Sequence, residues 1–289
     1  MAAKASTETI PLSMALFCIL VWGLSYAVTR SAVRQIPPLT LAALRFFLAA
    51  GLLWLLTHKN GAKLRAEDRK WIAALAFSGI TFYFSFENFG LSLTTASHAS
   101  LIIATIPLGT EIVAARRQGR WPTTTVWLGA LTAIGGVGFL VGRGGEGASA
   151  AGDLLMIGAV ACWVIYTFVV QHMAGRYPNM VVTRWMMLVG ALTLMPGALV
   201  ETAMTAWPHP GLPAWGQVLF LGIVCSAAAY DLWNRAVPAL GPAAVNTLIY
   251  FIPLVGVIGG IVFLGEAITP SLFIGGGLIL GGVLLGRWG

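Results

Sequence analysis

The sequence is a succession of apolar stretches, each about as long as a lipid bilayer is thick, separated by short polar or proline-containing connectors. Roughly 17 to 25 apolar residues in a helix cross the hydrocarbon layer. The stretches cover 12–28, 39–56, 71–91, 98–115, 126–141, 154–173, 181–200, 216–237, 243–264 and 271–286. Inside lipid every backbone N–H and C=O must be satisfied within the protein, and a helix does so with no other segment. The predicted fold class is therefore an all-α integral membrane protein with ten transmembrane helices.

Composition agrees. Of the 289 residues, 58% are hydrophobic and 9% charged, and the mean hydropathy is +0.85. A soluble domain carries about 25% charged residues. The first stretch lacks a small-residue cleavage site and reads as the first spanning helix rather than a secretory signal. Pro37-Pro38, Pro178-Asn179, Pro208-His209-Pro210-Gly211 and Leu240-Gly241-Pro242 provide the turn chemistry between stretches. Trp54, Trp71, Trp121, Trp127, Trp215 and Trp288 fall near predicted span ends, where an amphipathic ring suits the headgroup layer.

The net charge of +7 belongs to orientation, not to nucleic acid. Lys4, Lys59, Lys63, Arg65, Arg69, Lys70, Arg116, Arg117, Arg120, Arg176 and Arg287 gather on one side, against Arg30, Arg34 and Arg143 on the other. Basic connectors stay in the cytoplasm, so both termini are expected there, in a bacterial inner (plasma) membrane. Cys18, Cys162 and Cys225 lie within apolar stretches without metal-ligand spacing. No phosphate-binding GxxxxGK[ST] loop is present, and neither cofactor nor metal is expected.

The chain repeats itself. A shift of 146 residues superposes Asn88 on Asn234, Pro107 on Pro253, Gly119 on Gly265, Gly129 on Gly275, and Gly135-Gly136 on Gly281-Gly282. A shift of 141 brings Trp22 onto Trp163 and Pro37 onto Pro178. The expected units are 1–145 and 146–289, one membrane domain overall. Five spans is an odd number, so the second copy enters the membrane inverted, an arrangement that recurs in secondary transporters. Glycines 129, 135, 136 and 142, with 275, 277, 281 and 286, are expected to pack helices closely.

With these features the sequence resembles the drug/metabolite transporter superfamily, and within it the ten-helix EamA-type exporters. The resemblance covers essentially the whole chain and rests on several short motifs. In the first half these are Val21-Trp22-Gly23, Leu44-Arg45-Phe46, and Ala96-Ser97-His98-Ala99-Ser100-Leu101 leading to Thr105-Ile106-Pro107. In the second they are Ala161-Cys162-Trp163, Pro242-Ala243-Ala244, Phe251-Ile252-Pro253-Leu254 and Leu264-Gly265-Glu266. The family commonly closes both halves with a glycine-glutamate turn; here the first half has Gly119-Arg120 instead, so no acid's role carries over to that position. The chain is also similar to the YddG-type aromatic amino-acid exporters in length and aromatic-rich spans.

An ionisable side chain at membrane depth should be paired or face water. Arg45, Glu87, His98, Glu111, Arg184, Asp231 and Arg235 are such groups, with Asp231 and Arg235 spaced for a local pair. Glu87 and His98 either exchange protons during transport or serve the structure. Trp22, Tyr26, Tyr83, Glu87, Asn88, His98, Trp163, Tyr166, Tyr230, Trp233, Asn234, Asn246 and Tyr250 are the candidate substrate-binding residues. Trp22 and Tyr26, Tyr83 and Glu87, Tyr230 and Asn234, and Asn246 and Tyr250 are each four apart and share a helix face. Their polar tips would be costly against lipid and should turn inward, making an aromatic cavity suited to an amphiphilic solute; the alternative is that they fill and tie the bundle. Pro107 and Pro253, mid-span in both halves, are candidate hinges or fixed kinks.

The reading these features favour is a secondary exporter of amino acids or related amphiphilic metabolites working by alternating access, with other metabolites or cationic drugs as alternative cargo. A membrane-embedded enzyme on lipid-like substrates lacks HExxH, a GxSxG elbow or a comparable catalytic set. A passive channel is the remaining reading. The expected partners are a small-molecule substrate and membrane lipid, with no nucleic acid; oligomeric state is open, and the repeat is compatible with a monomer.

Overall fold

The computed structural model describes residues 2–59, 64–143, 147–205, 209–241, 245–246 and 248–287. Lys63, Pro208, Pro242, Ala243, Ala244 and Trp288 lie outside the described residues, as do the side chains of 2–9 and of Arg287.

Among the described residues ten helical spans follow in order. They are α1 (Ala2–Ala32), α2 (Pro38–Thr57), α3 (Arg69–Ala76, a π turn Phe77–Thr81, then Phe82–Leu93) and α4 (Ala96–Ile103 and Ile106–Arg117), then α5 (Thr124–Arg143), α6 (Ala150–Met173) and α7 (Asn179–Thr205). The last three are α8 (Leu212–Leu219, a π segment Phe220–Ala228, then Ala229–Leu240), α9 (a 3-10 turn Leu248–Phe251 and Ile252–Leu264) and α10 (Pro270–Arg287). Seven of these are long and apolar enough to cross a bilayer by length and composition, while Leu248–Leu264 and Pro270–Gly286 are shorter apolar helices. The tenth, α3, is diluted by Arg69, Lys70, Ser78, Thr81, Ser85, Glu87 and Asn88. The least apolar span is thus one that carries candidate site residues.

Packing follows the repeat. α2 lies on α7, α4 on α9 and α5 on α10, so each of these helices packs on its own mate. α3 packs on α6 just as α8 packs on α1, and α1 meets α9 as α6 meets α4. Exchanging every helix of one half for its mate leaves this pattern unchanged, as two inverted five-helix repeats require.

The α5–α10 seam shows why its residues are small. A Cβ on Gly282 would sit 2.6 Å from the Gly129 carbonyl and from the Ala133 N–H, so the backbones touch where a side chain would hold them apart. Gly136 meets Gly275 and Gly129 meets Gly286 in the same way. Gly135, Gly142, Gly277 and Gly281 face open space instead, which corrects the expectation that the whole glycine stripe packs. A helix has several faces, and only one reaches its mate.

The spans leave two ends. The basic end carries Lys59, Arg65, Arg69, Lys70, Arg116, Arg117, Arg120 and Arg176 in or beside its connectors. There Asp68 accepts from the Tyr177 hydroxyl (2.7 Å) and from Arg176 (2.8 Å), and these partners hold its carboxyl below the usual carboxylate range. At the opposite end, the Glu201 carboxylate caps the start of α2, accepting from Leu39 N (3.1 Å), Thr40 N (2.9 Å) and Thr40 Oγ1 (3.1 Å). Pro38, at the first helical position, needs no acceptor. Glu266 does the same for α4, accepting from Ala96 N (2.7 Å), Ser97 N (3.0 Å) and Ser97 Oγ (2.6 Å). It is placed by Gly265, whose φ of +67° ends α9 in the left-handed conformation glycine tolerates.

Candidate functional site

Four breaks in helical regularity surround the middle of the bundle, and they come in mated pairs. α4 is interrupted between Ile103 and Ile106, and α9 passes from its 3-10 turn to α-helix between Ile249 and Ile252. A shift of 146 superposes these isoleucines, and all four line one central cavity. Pro107 and Pro253 stand directly after the breaks, in the first turn of a new helical segment, where a missing N–H costs nothing. They mark where the helix restarts and do not bend a continuous one.

The other pair is the π segments of α3 and α8. A π turn is wider than an α turn and is common at functional sites. The Tyr230 hydroxyl donates to the Gly79 carbonyl in the first (2.9 Å), and the Trp22 indole N–H donates to the Cys225 carbonyl in the second (2.9 Å). Gly79 and Cys225 are themselves 146 apart. Gly79 must also lack a side chain, because the Tyr166 ring lies against it.

Between these breaks lies a central cavity lined by the four isoleucines and by aromatic rings. Trp163, 4% exposed, is central to the ring cluster: its centroid lies 5.3 Å from Trp22, 5.2 Å from Tyr83, 5.1 Å from Tyr166, 5.9 Å from Tyr230 and 6.2 Å from Trp233. Most of these contacts are tilted or edge-on, the arrangement ring quadrupoles favour. Glu87 enters the same space from α3, accepting from the Tyr83 hydroxyl (3.1 Å) with the Tyr26 hydroxyl beside it. Arg45 enters from α2, donating from Nε to Ser226 Oγ (3.0 Å), its guanidinium over the Phe84 ring (4.5 Å).

Of the candidates, the structure brings Trp22, Tyr26, Tyr83, Glu87, Trp163 and Tyr230 onto the cavity wall. Tyr166 and Trp233 stand directly behind, packed on those rings. The remaining five are elsewhere, each committed to a tie or to packing. Asn88 donates to the Pro38 carbonyl (2.9 Å), and Asn234 accepts from the Tyr166 hydroxyl (2.7 Å) and donates to Thr183 (3.0 Å). Asn246 donates to Thr110 (3.1 Å), and Tyr250 packs on the Leu108–Val126–Val283 cluster. His98 sits near the opposite end, 3.1 Å from Asp153, which also accepts from Thr94 (2.5 Å). A polar group that turns away from lipid need not reach a cavity; another helix satisfies it as well. Asp231 and Arg235 form the expected local pair at 2.6 Å.

Ser25, Arg45, Phe84 and the four isoleucines are wall residues absent from the candidate set. Arg45 was legible as a charge at membrane depth, whereas an isoleucine has the same apolar signature against lipid or against a cavity.

The sequence profile of the EamA-like transporter family matches twice, at residues 9–142 and 150–287. Among curated proteins, an "Uncharacterized transporter" of Archaeoglobus fulgidus is 28% identical over 278 residues, spanning 92% of this chain and 93% of that protein. A "Probable terminal-alkyne amino-acid exporter" of Streptantibioticus cattleyicolor is 28% identical over 247 residues, spanning 86% of this chain and 80% of that one. A crystal structure at 24% identity superposes with a TM-score of 0.68, covering 97% of this chain and 99% of the other, and shows the same fold.

Proposed function

Because this chain belongs to the EamA-like transporter family, we propose that it is a secondary exporter of amino acids, aromatic ones foremost, or of related small amphiphiles. It carries no covalent chemistry. The observation that carries the reading is the central cavity, built from mated breaks in the two repeats and lined by Trp22, Tyr26, Tyr83, Trp163 and Tyr230. Inverted repeats that share one central site can expose it to either side in turn. The breaks before Pro107 and Pro253 are the natural hinges, and 1–145 and 146–289 the moving halves. The positive connectors favour a bacterial inner-membrane protein with both termini in the cytoplasm. The amino-acid class is supported by the aromatic wall and by the relative named as an amino-acid exporter.

The experiment is uptake of labelled aromatic amino acids into proteoliposomes, with and without a pH gradient, for wild type, Trp163→Phe and Trp163→Ala, against empty liposomes. Saturable wild-type flux, reduced about tenfold or more in Trp163→Ala and less in Trp163→Phe, is expected. Flux at the empty-liposome level for every amino acid would remove the amino-acid reading, and flux of cationic drugs in its place would replace it.

A further inference from the structure

Three buried acids in this bundle lie in ion-pair contact. His98 meets Asp153, Asp231 meets Arg235 and Asp68 meets Arg176. Arg184, which corresponds roughly to Arg45 in the repeat, donates from Nη1 to the Thr57 carbonyl (3.2 Å) and hydroxyl (2.9 Å). Arg184 Nε lacks an acceptor; Arg45 and Glu87 differ from Arg184 in facing one shared cavity. Both are buried, at 2% and 5% exposure, and both line the central cavity, yet they form no ion pair within 4.0 Å. Arg45 Nη1 has no acceptor, and the hydrogen-bond partners of Glu87 are neutral phenols, with the Arg45 charge acting on it only through space. A cation and an anion at membrane depth ordinarily close on one another, because an uncompensated buried charge is costly.

A second unpartnered donor lines the same space. Trp22 donates its indole N–H to Cys225, and the repeat maps this bond onto Trp163 and Gly79. The Tyr230 hydroxyl has taken the Gly79 carbonyl, so the Trp163 N–H is left buried without an acceptor. The wall therefore offers a guanidinium Nη1 and an indole N–H that lack acceptors, and a carboxylate that no cation contacts.

Resting on the exporter reading, we infer that the cavity recognises a zwitterionic head group. Arg45 and the Trp163 N–H take the carboxylate of the solute, and Glu87 takes its ammonium. The apolar side chain of the solute lies among the aromatic rings and the four isoleucines. A ligand carrying both charges compensates both walls at once, whereas an amine or an acid alone leaves one buried charge unmet. Arg45 is a specificity-determining residue on this account, and so is Glu87.

Three probes of one shape test it: phenylalanine, phenethylamine, which lacks the carboxylate, and 3-phenylpropionate, which lacks the ammonium. Binding to purified protein in lipid nanodiscs is measured for wild type, Glu87→Gln, Arg45→Gln and the charge-retaining Arg45→Lys. Wild type is expected to bind phenylalanine about tenfold or more tighter than either analogue, the ratio set by losing one charge-assisted contact. Glu87→Gln should lose affinity for phenylalanine and phenethylamine but not for phenylpropionate. Arg45→Gln should lose it for phenylalanine and phenylpropionate but not for phenethylamine, with Arg45→Lys intermediate and guarding against a misfolded variant. Equal loss of all three probes in each variant would make these residues structural and overturn the inference. Wild-type preference for phenethylamine would overturn it while leaving an exporter of amphiphilic cations standing. If folded wild type binds none of the three and moves no amino acid into proteoliposomes, the exporter reading falls with it.

Discussion

The two ends of the bundle are built from the same repeated unit but are stitched differently. At the end away from the basic connectors, three carboxylates cross between halves: Glu201 to the start of α2, Glu266 to the start of α4, and Asp153 to His98 and Thr94. The repeat places Arg120 where Glu266 stands, Leu12 where Asp153 stands, and Asn60, outside the described residues, where Glu201 stands. At the basic end Asp68 makes the carboxylate tie between halves, to Arg176 and Tyr177, and its mate across the bundle is a neutral bond from Gly211 N to Gln35 (3.1 Å). On the proposed alternating-access mechanism, two equal halves would leave the two access states equal in energy, and the unequal acids would then bias one of them.

The largest expected effect comes from breaking the strongest tie. Glu266→Ala removes a helix cap together with an inter-repeat clasp, and should lower stability by about 2 kcal/mol in thermal unfolding of the purified protein. It should also raise labelling by an impermeant maleimide of a cysteine placed at Leu272, which is buried beside Glu266; unchanged labelling would mean that this acid does not hold its end closed. Glu201→Ala should act in the same direction by about 1 to 2 kcal/mol, because Thr40 keeps its contacts to Ala198 and Thr202. Arg120→Glu runs the comparison backwards by restoring an acid at the basic end. It should raise the unfolding midpoint by an amount matching about 0.5 kcal/mol and slow flux in proteoliposomes; faster flux would refute the assignment of the acids to the resting state.

The smallest effect concerns pH. Tyr177 and Arg176 depress the folded-state pKa of Asp68, so the stability it contributes is present above the unfolded value of about 3.9 and is lost as pH falls through the folded value. The unfolding midpoint of Asp68→Asn should lie slightly below wild type at neutral pH, and the two should converge only in that acid window.

Much of the architecture was open to a reader of the sequence, because lipid selects composition so strongly that spans announce themselves, and because glycine, proline and asparagine recur at fixed distance in both halves. The aromatic wall was legible from four-residue spacing, which put Trp22 with Tyr26 and Tyr83 with Glu87 on single faces. The sequence did not separate a polar group that faces a cavity from one that clasps a neighbouring helix. Asn88 and Asn246 are as inward-facing as Glu87, and only tertiary geometry shows that they are spent on Pro38 and Thr110. The π segments were equally hidden, since no residue type marks a turn that is one residue wider.

Those wide turns also set angular phase. Each residue of an α-helix advances about 100° around its axis, and a π turn absorbs one extra residue without lengthening the helix by a full step. Everything after Phe77–Thr81 in α3, including Tyr83 and Glu87, is therefore clocked relative to the residues before it. Deleting one residue of that turn would rotate the carboxylate away from the cavity while leaving the span, its composition and its hydropathy almost untouched. The location of the charge in this protein is thus kept by counting, and a sequence comparison that closes gaps freely would erase the count.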